Sequence, residues 1–323
     1  MRLKAGMTIV ATASAALAGL TPPASATFPG SRGPIAFQRL LDPNEEQSGQ
    51  IFRTAPGGQK ARQLTHVAGG AFAPDYSPDG TAIIFELRSG DGSPDSLYEM
   101  RVDGSHATRI PVPCTGTCLG EGEPAWTPSG DRITFHRAFG PIVDDDASEI
   151  DITSAGVDGS DEQAMKRFAG GGREPHNSQS SPDGSLMAVT LLNTTAKPKG
   201  ASAIHLFDAQ GNHLRRITPL RLNAGNPDWS PDGTRIVFNS SFEGQGKVEL
   251  YTVRPDGGGL RRLRQERKSY SFDPVWAPNG KRIAFVHGGQ TPHIWTVRAD
   301  GKKMRKVTHG RLPDFAPDWG TRR

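Results

Sequence analysis

Short apolar runs separated by tight polar turns extend along most of the 323-residue chain, and the clearest unit occupies residues 226–238. Pro231-Asp232-Gly233 combines a preset φ, a side chain that bonds its own backbone and a glycine free to adopt positive φ, so it predicts a chain reversal. Ile236-Val237-Phe238 is a β-branched and aromatic run typical of a strand packed on both faces. Trp229 is the large apolar residue before the turn. The unit therefore predicts a β-hairpin.

This turn recurs through the chain. Its copies are Ser77-Pro78-Asp79-Gly80, Thr127-Pro128-Ser129-Gly130, Ser181-Pro182-Asp183-Gly184, Ser230-Pro231-Asp232-Gly233 and Ala277-Pro278-Asn279-Gly280. Their glycines are 50, 54, 49 and 47 residues apart, which is the period of a four-stranded propeller blade. An aromatic residue precedes the turn in four copies, Tyr76, Trp126, Trp229 and Trp276, whereas the third copy has Ser180.

The two ends of the chain complete the repeat count. Residues 33–65 match the second, third and fourth strands of a unit that lacks its first strand. Pro317-Asp318-Trp319-Gly320 matches Pro227-Asp228-Trp229-Ser230, after which the chain stops. We therefore predict an all-β fold, a single six-bladed β-propeller over residues 27–323. Its blades are four-stranded and antiparallel, and a C-terminal strand completes the N-terminal blade and removes open sheet edges.

The N-terminus has the features of a secretory signal peptide. Arg2 and Lys4 precede an apolar run over residues 7–20, and Ala24-Ser25-Ala26 has the small-x-small pattern of a cleavage site. A membrane anchor fits less well, because the run is shorter than the roughly 20 residues that span a bilayer. We predict a signal peptide over residues 1–26 and a secreted, periplasmic or cell-envelope protein with no membrane span after cleavage.

The net charge bears on the kind of partner, and the two cysteines bear on the choice between a disulfide and a metal site. The formal net charge of +4 falls to about +2 without Arg2 and Lys4, so the charge does not indicate a nucleic-acid partner. Cys114 and Cys118 are the only cysteines. In an exported protein a local disulfide is favoured over a metal site, which would need further ligands nearby.

The motif Pro-x-Trp-Ser-Pro-Asp-Gly, followed by a strand ending in Phe and by Leu-Tyr-x-x-x-x-Asp-Gly, resembles the blade repeat of TolB-like six-bladed β-propellers. The copies at residues 227–238 and 250–257 carry it most clearly, and the resemblance covers residues 30 to 321. It implies a WD-like propeller that serves as a periplasmic scaffold, as an accessory domain of an oligopeptidase or, in some relatives, as a polysaccharide-degrading enzyme. TolB itself carries an α/β domain ahead of the propeller, and we expect that domain to be absent here.

Conventional catalytic motifs are missing from the sequence. There is no Gly-x-Ser-x-Gly nucleophile elbow, no His-Glu-x-x-His, no phosphate loop and no dinucleotide fingerprint. We therefore predict no cofactor and lean towards a protein that is not an enzyme.

The candidate site follows from the geometry of a propeller. The first strand of each blade lines the central channel, so the residues before each repeat proline are expected at one mouth of it. By register these are Ala73, Glu123, Asn177, Asn226, Asp273 and Ala316, with Gly122, His176 and Phe272 one residue earlier. Glu123, His176, Asn177, Asn226 and Asp273 form the predicted ligand-binding set, suited to a cation, a sugar or a peptide terminus. The alternative is that these polar strand ends only face channel water.

Two functions remain open from the sequence. The first is a monomeric, non-catalytic binding or scaffold module that holds an envelope or extracellular protein, peptide or glycan. The second is a channel-mouth enzyme, a polysaccharide lyase or lactonase-like hydrolase, with a divalent metal on Glu123, Asp273 and His176 as its sharpest form.

Two runs of charged residues each have a structural interpretation and a binding interpretation. Asp144-Asp145-Asp146 is a solvated acidic loop or part of a calcium site, although it lacks the alternating spacing of a calcium loop. The basic run is expected to blunt an exposed sheet edge or to meet an anionic polymer. Its members are Arg261, Arg262, Arg264, Arg267 and Lys268.

Overall fold

The computed structural model describes residues 28–58, 60–143, 146–169, 172–194, 200–241, 247–263 and 270–322. These residues form six antiparallel sheets of four strands, which confirms the predicted six-bladed β-propeller. The predicted signal peptide lies outside the described residues, as do Asp144, Asp145, Arg264, Arg267 and Lys268.

The strands follow the predicted repeat in chain order. Blade 1 contains β1 Ser31–Leu40, β2 Gly49–Thr54 and β3 Arg62–Gln63. Blade 2 contains β4 Gly70–Tyr76, β5 Ala82–Arg88, β6 Ser96–Arg101 and β7 Thr108–Arg109. Blade 3 contains β8 Cys118–Trp126, β9 Arg132–Val143, β10 Asp146–Gly156 and β11 Gln163–Ala169. Blade 4 contains β12 Arg173–Ser180, β13 Leu186–Asn193, β14 Ser202–Asp208 and β15 Arg215–Arg216.

The remaining strands complete the ring. Blade 5 contains β16 Ala224–Trp229, β17 Ile236–Ser240, β18 Glu249–Val253 and β19 Arg261–Arg262. Blade 6 contains β20 Ser271–Trp276, β21 Arg282–His287, β22 His293–Arg298 and β23 Arg305–Lys306. The last strand, β24 Asp314–Arg322, returns to blade 1. Short 3-10 helices occupy Glu46–Ser48 and Leu220–Leu222.

The ring closes as the sequence predicts. Strand β24 pairs antiparallel with β1 from Ser31 opposite Arg322 to Arg39 opposite Asp314. At the start of this pair the Trp319 indole donates a hydrogen bond to the Gly33 carbonyl at 3.1 Å. The N-terminal blade therefore gains its innermost strand from the C-terminal end of the described chain.

The repeat turns are held by their own side chains. In blade 5 the Gly233 N–H donates to the Ser230 carbonyl at 2.8 Å, and Gly233 has φ of +68°. The Asp232 carboxylate accepts from the Ser230 hydroxyl at 2.6 Å and from the Thr234 N–H at 3.0 Å. The aspartate and glycine of the turn are thus structural, because the reversal needs both.

The core lies between blades. Six clusters of buried apolar side chains occur among the described residues, one at each contact between neighbouring blades. The cluster between blades 4 and 5, for example, joins Ile204 and Leu206 to Trp229 and Phe238. The repeated aromatic before the turn and the Phe at the end of the second strand therefore fill these seams.

Buried aspartates also join neighbouring blades. The Asp75, Asp228 and Asp318 carboxylates each accept the backbone N–H of the aromatic residue in the next blade, Trp126, Trp276 and Tyr76, at 2.6 Å. Each aspartate directly follows a repeat proline and has at most 2% of its surface exposed. These buried hydrogen bonds connect the inner strands of neighbouring blades and so help to hold the blades in register.

The propeller has two different faces. The Ser-Pro-Asp-Gly turns and the Asp-Gly turns between the third and fourth strands lie on one face, which we call the turn face. The connections between second and third strands, and from each blade to the next, lie on the other, which we call the loop face. Strands β9 and β10 of blade 3 are the longest of the described strands, and they extend towards the loop face. Each inner strand begins at the loop face, and the residues of the predicted site occupy the third to sixth positions of their strands. Their place at the mouth of the channel stays a prediction.

Candidate functional site

Six residues at equivalent positions share an unusual backbone conformation; five of them precede a repeat proline, and in blade 4 Ser178 takes the place of the proline. Ala73, Glu123, Asn177, Asn226, Asp273 and Ala316 all have φ between +46° and +53°. We call these six residues the left-handed ring. The pairing between the first and second strands shifts at this point in all six blades, which is the mark of a β-bulge. Non-glycine residues adopt this conformation at a cost, so the surrounding contacts must hold it.

The left-handed ring is hydrogen-bonded from blade to blade. The Glu123 carboxylate of blade 3 accepts the Asn177 backbone N–H of blade 4 at 2.6 Å. In the same way, the Asn226 amide of blade 5 donates to the Asp273 carboxylate of blade 6, which also receives the backbone N–H of Ala316. The Glu123 and Asp273 side chains therefore stabilise the bulge of the next blade.

Glu123 is the centre of a cluster of charged residues. Its carboxylate lies 3.0 Å from His136 Nδ1 and 3.6 Å from His176 Nδ1. The second nitrogen of His176 lies 3.4 Å from the Glu174 carboxylate, and His136 Nε2 lies 3.0 Å from the Ser178 hydroxyl. Since a carboxylate only accepts, the His136 nitrogen that faces Glu123 carries a proton.

The cluster shifts the pKa values of His176 and Glu123 towards their charged forms. Burial acts to lower the pKa of His176, but hydrogen bonds to Glu123 and Glu174 outweigh it and raise the value to about 10. Burial likewise acts to raise the pKa of Glu123, yet the charge of His136 and the hydrogen bonds from both histidines hold it well below its usual range. His176 is therefore an imidazolium at neutral pH, held between two carboxylates.

Asp273 has the opposite behaviour. Burial raises its pKa from 3.8 to about 7, and hydrogen bonds from the Ala316 backbone and the Asn226 amide offset only part of this. Only 3% of Asp273 and 4% of Asn226 are exposed. The two residues are thus largely enclosed. Near neutral pH the carboxyl of Asp273 is present in both its protonated and its ionised form.

The predicted ligand-binding residues differ in their access to solvent. The side chains of His176 and Glu123 are 21% and 15% exposed. By contrast, Asn177, Asn226 and Asp273 are buried. A ligand at the mouth would therefore meet Glu123 and His176 first, together with Glu174, which the sequence did not single out.

The positions one residue before the left-handed ring form a second layer with two chemical halves. Blade 4 places His176 there, whereas blades 6 and 1 place Phe272 and Phe315, whose ring centroids are 6.3 Å apart. In blade 2 the equivalent Phe72 lies under the Arg88 guanidinium, 4.3 Å from its ring centroid. Blades 3 and 5 have Gly122 and Gly225 at the equivalent positions. Blades 4 and 1 are opposite each other in a six-bladed ring. His176 with Glu123 and Glu174, which we call the charged half, therefore lies across the ring from Phe315 and its neighbour Phe272, which we call the aromatic half.

The proposed three-residue metal site does not form in the structure. Glu123 belongs to blade 3 and Asp273 to blade 6, which are on opposite sides of the channel. Among the described residues, only Cys114, Cys118 and Glu121 bring three His, Cys, Asp or Glu ligand atoms within 4.8 Å of one another. The arrangement does not gather Glu123, His176 and Asp273 around one ion.

Cys114 lies in the loop before β8, and Cys118 is the first residue of that strand. Their Cα atoms are 5.3 Å apart and their sulfurs are joined. Glu121, the third member of that group, pairs with the Arg137 guanidinium at 3.2 Å. With both sulfurs in a disulfide, the group lacks the thiolates that a soft metal ion would need.

Sequence reasoning missed the polar residues of the second strands. Glu86, His136, Thr190 and Asn239 each directly follow the Phe or Val of the buried run. Glu86 accepts the Glu123 N–H at 3.2 Å, Thr190 accepts the Asn226 N–H at 3.1 Å, and Asn239 accepts the Asp273 N–H at 3.4 Å. The sequence does contain a signal for these residues, because a single polar residue follows the apolar run at the same place in several second strands.

The outer basic run is only partly described. Arg261 and Arg262 form β19, the outermost strand of blade 5. Arg262 pairs with Glu249 on the neighbouring strand, and Arg261 donates to the Asp300 carbonyl of blade 6 at 2.8 Å. These two arginines therefore have structural partners on an exposed edge.

Six four-stranded blades around a channel, with the repeated Pro-Asp-Gly turn, define the molecule as a six-bladed β-propeller. A sequence profile of the TolB beta propeller domain matches residues 124–320, more than half of the chain. The chain therefore belongs to the TolB β-propeller family.

Similarity to whole proteins is more limited. The chain is 30% identical over 132 residues to the Tol-Pal system protein TolB of Anaeromyxobacter dehalogenans, a match that covers 41% of this chain and 30% of that relative. The propeller superposes on TolB from Acinetobacter baumannii with a TM-score of 0.71 at 15% identity, over 91% of this chain and 68% of the other. Oligogalacturonate lyase from Vibrio parahaemolyticus gives a TM-score of 0.56 at 14% identity, over 80% and 71%. At these identities the structural matches show the fold alone.

The fold also bears on membrane contact. Across the described residues, no helix combines the length and apolar character required to cross a bilayer.

Proposed function

We propose that this protein is an exported, non-catalytic binding propeller that acts as a monomer. It holds an envelope or extracellular protein, peptide or glycan ligand at the loop-face mouth and on the surrounding loops. The relation to a Tol-Pal system protein supports a role of this kind. The single observation that carries the proposal is the two-sided mouth, in which charged residues face an aromatic pair.

The charged half of the mouth is built for recognition. His176 is held between Glu123 and Glu174, so its position is fixed before a ligand arrives. Pre-ordered charges lose little conformational freedom on binding and discriminate between ligands by charge. The two carboxylates favour a ligand that brings hydrogen-bond donors or a cationic group.

The aromatic half supplies a different contact. Phe272 and Phe315 are partly buried against the core cluster between blades 1 and 6. Their remaining surface offers apolar contact to a peptide side chain or to the face of a sugar ring. A ligand that spans the mouth would contact both halves at once.

The enzyme alternative has weaker support. Its sharpest form needs one metal ion held by Glu123, His176 and Asp273, and the structure separates Glu123 from Asp273 across the channel. The polar cluster around Glu123 is taken up by internal ion pairs with His136 and His176. The similarity to a lyase rests on fold at 14% identity. Binding without turnover is therefore the function that the geometry supports best.

A capture experiment with matched variants tests the proposal. Biotinylated protein is incubated with envelope extract of the source cells, and bound proteins and glycans are quantified by mass spectrometry. Glu174→Gln with His176→Gln removes charges at the mouth, whereas Asp103→Asn with His106→Gln makes the same changes in an exposed turn on the turn face.

We expect the mouth variant to lose its specific ligand about tenfold or more, because each charged contact is worth about 1 kcal/mol. The turn-face variant should capture it like the wild type. Equal capture by all three proteins would show that the mouth is not the binding site.

A further inference from the structure

A basic cleft lies on the turn face, on the opposite side of the propeller from the loop-face mouth of the channel. Its volume is about 440 Å³, and it is lined by Arg32, Lys281, Arg282, Arg298, Ala299 and Asp300. Arg32 comes from the start of β1 and the other residues come from blade 6, so the cleft lies at the seam where the propeller closes. Four cationic residues and a single acidic residue line a space large enough for a small ligand.

The fold does not require this concentration of charge. Lys281 follows the repeat turn, and Arg282 begins β21 opposite Arg298 of β22. Blades 2, 3 and 4 have Ala82 opposite Arg101, Arg132 opposite Gly156 and Leu186 opposite Asp208 at the equivalent pair. Blade 5 has Arg235 and Arg254 there, but an uncharged Thr234 after its turn. Only blade 6 carries cations at all three positions.

The positive charges are poorly compensated inside the protein. Asp300 lies 3.5 Å from Arg298, and both side chains remain well exposed. Like charges that are directly opposite on neighbouring strands destabilise a sheet. Burial lowers the pKa of Arg282, and the nearby charges of Arg32, Arg305 and Arg298 lower it further.

Arg282 is nevertheless held firmly in place. Its Nη2 donates to the Lys303 carbonyl at 2.8 Å and to the Thr296 hydroxyl at 3.0 Å, and its Nε donates to the same hydroxyl at 3.3 Å. Within the described residues its hydrogen bonds come from these two nitrogens, so Nη1 retains donors for a ligand. A fixed guanidinium beside a lysine and two further arginines is an arrangement that suits an anion.

We propose that this turn-face cleft binds a phosphate-bearing ligand, either a free phosphate anion or the phosphate group of a larger molecule. The guanidinium fork matches the oxygens of a phosphate, and Lys281 adds a point charge at the rim. The ligand supplies the negative charge that the cleft lacks. This proposal concerns the opposite face of the propeller and does not depend on the function of the mouth.

Titration of the purified protein with pyrophosphate tests the proposal. Binding is measured by isothermal titration calorimetry at low ionic strength, with sodium chloride additions of matched ionic strength as the reference. Lys281→Ser with Arg298→Gln removes two cations from the cleft. Arg101→Gln with Arg254→Gln removes two from equivalent positions in blades 2 and 5 and serves as the matched control.

We expect the wild type to bind pyrophosphate with a Kd of about 1 mM or lower, and the cleft variant to bind about tenfold more weakly. The control variant should stay within about twofold of the wild type, and binding should weaken as salt is raised. Flotation with vesicles that contain phosphatidic acid distinguishes a membrane-bound phosphate from a free one.

Binding in either assay that depends on the cleft residues supports the proposal. The absence of binding in both assays, or equal loss in the cleft and control variants, would overturn it. Should the cleft variant unfold, the wild-type protein still provides a test. Pyrophosphate must then raise its unfolding temperature more than sodium chloride of equal ionic strength does.

Discussion

Replacing Asp273 by asparagine should make the protein less sensitive to alkaline pH. Asp273 is 3% exposed, and burial raises its pKa from 3.8 to about 7. Asparagine resembles the protonated carboxyl in shape and still offers an oxygen to the Asn226 amide. The variant therefore keeps the contacts of the neutral form and removes the cost of burying a charge.

The sign and size of the effect follow from the shifted pKa. The folded state holds the proton of Asp273 up to about pH 7, whereas the unfolded chain releases it near pH 3.8, so the wild type loses stability as pH rises through this window. Each unit of difference between the folded and unfolded pKa corresponds to about 1.4 kcal/mol. The loss in the free energy of unfolding above pH 7 therefore has an upper limit of about 4 kcal/mol. Between pH 5 and pH 8 the loss should be about 2 to 3 kcal/mol.

Urea unfolding at several pH values measures this effect. The free energy of unfolding of Asp273→Asn minus that of the wild type should increase by about 2 kcal/mol or more from pH 5 to pH 8. Any constant cost of the substitution cancels in this comparison. Glu45→Gln, which removes an exposed carboxyl, controls for net charge. A difference for Asp273→Asn that does not change with pH would refute the reasoning.

Three further predictions test other parts of the structure. In NMR spectra the chemical shift of the His176 Cε1 proton should not change between pH 6 and pH 8, because the pKa of His176 is raised to about 10. The stability that the charged imidazolium adds should be lost only as pH rises from about 6.5 to 10. A titration midpoint near pH 6.5 would contradict the ion-pair cluster. Truncation before Asp314 removes β24 and leaves the inner edge of β1 unpaired, so cooperative thermal unfolding should be lost, whereas removal of Arg323 alone should leave it intact; a folded truncated protein would disprove the closure argument. Replacing both Cys114 and Cys118 by serine should lower the free energy of unfolding by at most about 2 kcal/mol, because the bond closes a loop with a sequence separation of only 4, and a larger loss in urea unfolding would show that the disulfide does more than restrict this loop.

The sequence was sufficient for the architecture because each blade repeats one local signal. The turn residues, the aromatic before each turn and the Phe after it specify a hairpin without long-range information, and the incomplete ends specify closure. The members of the left-handed ring could be located by their register, because five of the six directly precede a repeat proline and Asn177 aligns with them. Only the structure shows their shared positive φ.

The chemistry of the site was less accessible from the sequence. The pairing of Glu123 with His136 depends on the register between β8 and β9, which a bulge shifts between Gly122 and Ala125. The spacing along the chain also does not show that Asp273 is enclosed while Glu123 is partly exposed. The basic cleft joins β1 to blade 6, so its charges come together only when the ring closes.

Site-specific photocrosslinking tests most directly the central claim, that the protein, peptide or glycan ligand binds at the loop face. A photoreactive phenylalanine analogue is placed at Leu41 or Leu119, which are exposed near the loop face, or at Thr234 or Lys302, which are exposed on the turn face. After irradiation in envelope extract, adducts are identified by mass spectrometry. The account predicts adducts with one specific protein or glycan from the loop-face positions, and their loss in the Glu174→Gln, His176→Gln background. Adducts from the turn-face positions alone would contradict it.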